Sequence, residues 1–110
     1  MDQPVPLEID ISAFNDLRDR AVPHRVLDVR EPWEIEICAF GGCLSIPMGQ
    51  IPERVQELPA GEILVVLCHH GGRSQRVAAW LRDQGFGRAT SLKGGIDAWA
   101  GEIEPGMARY

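Results

Sequence analysis

Apolar residues fall along this chain in short runs, divided at close intervals by glycine, proline and charged residues. That spacing outlines alternating strands and helices. Leu7 to Ile9, Val26 to Val29, Leu44 to Ile46, Ile63 to Leu67 and Thr90 to Leu92 read as strands. The fourth is apolar at every position, the pattern of a strand covered on both faces. Helical spacing lies between them: Ile11, Phe14 and Leu17 with Ser12 as cap, Trp33 and Ile37 behind Pro32 in a first turn, Ile51, Val55 and Leu58, and Val77, Trp80 and Leu81. The order predicts an α/β fold in three layers, a mostly parallel five-stranded sheet with helices on both faces. Functional groups in such sheets gather beyond the carboxyl ends of the strands. The segments after Val29 and Leu67 are therefore the places to look.

Composition narrows the classes. A chain of 110 residues with nearly half its positions apolar and a quarter charged fits one compact folded domain. The formal charge of -5 carries no clustered Lys and Arg, which argues against a nucleic-acid partner. No apolar run is long enough for a membrane span, and Met1 to Pro6 lacks the basic and apolar regions of a signal peptide, so a cytoplasmic location is expected. Cys38, Cys43 and Cys68 are odd in number and show no CxxC spacing, which speaks for reduced thiols and against a zinc knuckle.

Cys68 is the chemically suggestive one. It follows the strand Ile63 to Leu67 and precedes a helix expected to begin near Ser74. Helix N-termini offer unpaired N–H groups and the positive end of the dipole, which favour thiolate over thiol. Gly71 and Gly72 are expected to take left-handed dihedrals that turn N–H groups inward around the sulfur. Arg73 supplies a fixed charge suited to an oxyanion or to the loop's own carbonyls, and Ser74 reads first as an N-cap. His69 and His70 are candidate acid–base or substrate-contact groups.

The segment Cys68-His69-His70-Gly71-Gly72-Arg73-Ser74 resembles the active-site loop of the rhodanese family, whose cysteine carries a persulfide. Four residues separate Cys68 from Arg73, whereas the similar loop of cysteine phosphatases has five and a wider cradle. Leu27-Asp28-Val29-Arg30-Glu31-Pro32-Trp33-Glu34 resembles the family's other hallmark, and Asp28 and Arg30 are expected to brace the active-site loop. Gly42 to Pro47 and Leu92 to Trp99 are similar to its third-strand turn and C-terminal strand-loop-helix, with Gly94 and Gly95 read as a turn and Trp99 as core. The similarity runs from about Leu7 to Trp99 within one rhodanese-like domain covering residues 1–110. Where members often have a Gly-His pair, this chain has Cys38 and Ala39. Cys43 reads as core filler, and Cys38 as a bystander or a second, resolving thiol.

The resemblance implies a sulfurtransferase of thiosulfate sulfurtransferase type. A small sulfur donor would load Cys68, and a thiol, cyanide or protein acceptor would unload it. No metal and no cofactor beyond the covalent persulfide is implied. The loop and C-terminal wording is also similar to rhodanese domains joined to activating enzymes for ubiquitin-like proteins in molybdopterin and thiamine synthesis. Rival readings are a cysteine phosphatase or arsenate reductase with Arg73 as oxyanion clamp, and a non-catalytic interaction module.

Overall fold

The computed structural model describes residues 5–110, so most of the Met1 to Pro6 segment, and the signal-peptide reading that rests on it, lies outside the described residues. Five strands form one sheet: β1 (Glu8–Ile9), β2 (His24–Asp28), β3 (Leu44–Ser45), β4 (Ile63–Leu67) and β5 (Ala89–Leu92). Their order is β1-β5-β4-β2-β3, and every neighbouring pair is parallel.

The five helices are α1 (Ile11–Asp19), α2 (Pro32–Ile37), α3 (Ile51–Arg54), α4 (Gly72–Asp83) and α5 (Gly95–Glu102). β4 sits at the centre of the sheet and is buried at all five positions, so its side chains feed two cores by simple alternation. Leu64, Val66 and then Cys68 face α3 and α4, packing with Ile51, Val77, Ala78 and Leu81. Ile63, Val65 and Leu67 face α1 and α5, packing with Phe14, Ile96 and Trp99. The three-layer expectation therefore holds, and Trp99 is core, as read.

Several local expectations are corrected. The cap of α1 is Asp10, whose carboxylate accepts from the Ala13 N–H at 2.8 Å, and Ser12 lies within the first turn. The Ile51 to Leu58 stretch is not one helix: α3 is a single turn followed by a 3-10 turn over Val55–Glu57. The strand expected over Val26 to Val29 begins earlier, at His24, because β2 pairs with β4 along its whole length. α4 starts two residues before Ser74, at Gly72, with Gly71 as its N-cap.

Candidate active site

The parallel register brings the ends of β2 and β4 side by side, with Asp28 opposite Leu67, so both hallmark segments leave the sheet at the same edge. Cys68 is the first residue past β4 and is 1% exposed. Its Sγ accepts from the Gly71 N–H at 3.0 Å and the Ser74 N–H at 3.4 Å, and its S–H is placed to donate to Ser74 Oγ at 3.4 Å. Two backbone donors from the start of a three-turn helix thus converge on one sulfur, an arrangement that stabilises negative charge there.

Gly71 makes this turn possible. Its φ is +108°, and a Cβ on it would stand 3.1 Å from the Gly94 nitrogen. Gly72 does not share that role. It opens α4 with ordinary helical backbone, and a Cβ there meets no atom within 4 Å, so the expectation of two left-handed glycines is corrected to one. Ser74 is likewise not the cap. Its hydroxyl donates to the Gly71 carbonyl at 3.1 Å and meets Ser91 Oγ at 2.7 Å, which ties the turn to β5.

Arg73 points elsewhere than expected. Its two terminal nitrogens donate to Glu34 at 2.8 and 2.7 Å, a bidentate pair with a carboxylate that is almost wholly buried. The fork is therefore committed to neither an oxyanion nor the loop's carbonyls. Glu34 also accepts from the Glu31 N–H at 2.8 Å, inside the first turn of α2, and from the Tyr110 hydroxyl at 3.0 Å. The Arg73 bonds, aided by these donors and against the cost of burial, hold the Glu34 carboxyl at about 2.

Asp28 and Arg30 form a second buried pair, 2.7 Å apart and 2% exposed or less, shielded from solvent. Burial opposes the Arg30 charge, and Asp28 and Tyr110 outweigh it and push the guanidinium up. Arg30 also donates to the carbonyls of Glu34 at 3.3 Å and Cys38 at 2.8 Å and to the Tyr110 hydroxyl at 3.2 Å. The pair braces α2 and the segment after it, and its link to the Cys68 loop is indirect, through Glu34 and Arg73. Cys38 Sγ lies 3.9 Å from Arg30 Nη1. Cys43 is half-buried, and burial pushes its thiol up to about 11.

His69 and His70 form the rim of a cleft of about 290 Å³ lined also by Cys68, Gly72, Arg73 and Arg76. The His69 ring is stacked between His70, at 3.8 Å, and Tyr110, at 3.7 Å and 11°. Burial pushes the His69 imidazole down from its ordinary value, with His70 adding to the effect. His70 is exposed. Asp97, held by Arg109 at 3.1 Å, lies 4.0 Å from His69 Nε2 and 3.8 Å from His70 Nε2. These three residues place ligand-type atoms within 4.8 Å of one another. Stacked imidazoles 3.8 Å apart do not aim both in-plane lone pairs at one ion unless a ring turns.

The residues that sequence reasoning missed are those that hold the loop from behind. Ile96 and Asp97 donate their N–H groups to the carbonyls of Cys68 at 2.9 Å and His69 at 3.1 Å. Gly95, read only as a turn, has φ of +62°, and a Cβ on it would fall 2.4 Å from both of those carbonyl oxygens. A glycine pair before a helix is the signal for such a close approach. Glu34 and Tyr110, 76 residues apart in the chain, carried no comparable signal.

Comparison with known proteins agrees with this architecture. The Rhodanese-like domain family profile matches residues 11–102. A sulfurtransferase of Allochromatium vinosum is 41% identical over 75 residues, covering 68% of this chain and 70% of its own. An adenylyltransferase and sulfurtransferase of Zea mays is 32% identical over 97% of this chain, which spans only 24% of that protein's length. The crystal structure of a rhodanese-like domain protein from Staphylococcus aureus superposes with a TM-score of 0.79 at 26% identity, covering 86% of this chain and 91% of that one. With a match over most of its length, a parallel sheet in this order and a cysteine cradled after its central strand, the chain belongs to the rhodanese-like domain family, whose members here include sulfurtransferases.

Proposed function

We propose that this chain transfers a sulfane sulfur atom through a persulfide on Cys68, within a single rhodanese-like domain covering residues 1–110. The observation that carries the reading is the convergence of the Gly71 and Ser74 N–H groups on a sulfur at the floor of an open cleft. The Cys68 thiolate attacks the outer sulfur of a donor such as thiosulfate. A new S–S bond forms, the donor's S–S bond breaks, and sulfite leaves with its electron pair. A thiolate acceptor or cyanide then takes the terminal sulfur, and Cys68 departs as thiolate. The N–H donors serve both halves, because negative charge stays on sulfur in the free, loaded and transition states.

Phosphoryl transfer is the weaker reading. It calls for a guanidinium free to clamp an oxyanion, and Glu34 occupies both arms of Arg73. Three unpaired cysteines fit a reducing, cytoplasmic setting for the sulfur chemistry. Intact-mass measurement after thiosulfate treatment tests the proposal. One added sulfur, lost on cyanide addition and absent from Cys68→Ser, is expected; an unmodified wild type, or an adduct retained in Cys68→Ser, would sink it.

A further inference from the structure

The cleft above Cys68 does not end at Arg73. Arg76, one turn further along α4, forms its outer wall and is at the same time a wall of a second groove of about 260 Å³. That groove is lined by Met48, Ile51, Pro52, Val77 and Trp80, and is almost entirely apolar. Trp80 and Met48 remain half-exposed there, at the seam between α3 and α4. Arg76 is exposed and takes part in no ion pair among the described residues. No carboxylate of the described residues lines either space. In a chain whose formal charge is -5, the path from the sulfur to the apolar groove therefore presents one unneutralised positive charge.

The dimensions say what size of ligand uses it. From Gly72 to Trp80, α4 advances about 12 Å at 1.5 Å per residue. Cyanide or a small thiol reaches Cys68 without touching Trp80. An extended peptide covers the same path in about four residues. Resting on the sulfur-transfer reading, we propose that the groove and Arg76 seat a segment of an acceptor protein. That segment presents a cysteine to Cys68, an acidic side chain to Arg76 two residues on and an apolar side chain to Trp80 four residues on, the alternate positions that share one face of an extended chain. The acceptor thiolate attacks the outer sulfur of the loaded Cys68; one S–S bond forms as another breaks, Cys68 leaves as thiolate, and no outside oxidant or reductant is needed.

The test varies the acceptor before the protein. Blocked peptides carrying Cys-Gly-Asp-Gly-Leu, Cys-Gly-Lys-Gly-Leu and Cys-Gly-Asp-Gly-Ser, and the same sets in reversed order, are compared as acceptors from thiosulfate-loaded protein. In the better chain direction, replacing leucine by serine is expected to lower kcat/KM about tenfold, from loss of an apolar side chain in a partly open groove. Replacing aspartate by lysine is expected to lower it about threefold, the size of an exposed charge pair. In Arg76→Glu the charge preference should reverse. Binding of the same peptides with serine for cysteine, followed by the NMR signal of the Trp80 indole, reads the groove independently of any sulfur chemistry. A saturable shift that weakens with the serine-for-leucine peptide supports the assignment even if no sulfur moves, an outcome that would instead overturn the transfer reading. Equal transfer to all peptides, an unmoved Trp80 signal, or an unchanged charge preference in Arg76→Glu would overturn the groove assignment and leave sulfur transfer standing.

Discussion

Replacing Glu34 by glutamine removes one negative charge at nearly constant shape, at the point where α2, α4 and Tyr110 meet. The carboxylate is 3% exposed and takes both arms of Arg73. Those bonds lead the causes that lower it from 4.5 to about 2. That gap corresponds to about 3 kcal/mol of folding stability at pH 7. Glutamine resembles the protonated acid, so it forfeits most of this; the Arg73 side chain, 31% exposed, regains some hydration. The expected loss is about 2–3 kcal/mol, a large share of the roughly 5–15 kcal/mol that holds a domain folded. Urea titrations of both proteins measure it as a shifted midpoint at unchanged slope.

The pH course adds a sharper demand. Because the folded-state value lies below the unfolded one, the unfolded chain takes up the proton first. The contribution is full above about 4.5 and drains away as pH falls toward 2. The difference between wild type and Glu34→Gln should thus be constant near neutrality, shrink below about pH 4.5 and close near pH 2. A difference under about 0.5 kcal/mol at pH 7, the scale of a surface pair, or one that persists undiminished in acid, would refute the reasoning.

Other expectations follow from single contacts. Gly95→Ala puts a methyl 2.4 Å from two carbonyl oxygens at a left-handed φ, so it should cost at least about 2 kcal/mol and slow persulfide formation. Gly72→Ala, with open space at a helical position, should be neutral or stabilise by up to about 1 kcal/mol in the same denaturation assay; equal effects at the two glycines would contradict the assignment. With its thiol pushed up to about 11, Cys43 should alkylate slowly at pH 8 and faster as pH rises toward 11; rapid labelling of Cys43 at pH 7 would count against its burial. NMR titration should place the His69 imidazole below 6.5, because burial under Tyr110 and His70 disfavours its charged form; a midpoint above 6.5 would contradict that packing. Since the unfolded chain then binds more protons, His69 should lower stability as pH falls through 6.5.

The periodicity of apolar positions was sufficient for the layered fold, because a central strand such as Ile63 to Leu67 must be apolar on both faces and the sheet around it must be covered twice. The Cys68 loop was legible for a related reason: a strand end, a left-handed glycine and a helix start are all local, within a few residues of one another. What only the tertiary structure decided is where the charges go. Arg73 turns to Glu34, 39 positions away, and Tyr110 reaches Arg30 and Glu34 from the far end of the chain. Side-chain direction at a helix start depends on which partner a parallel register brings alongside, and no local pattern encodes that. The sequence by itself determined that a sulfur would be held at the end of the central strand; the packing of α2 and Tyr110 decided that its neighbouring arginine would hold the site together, with both arms engaged by Glu34.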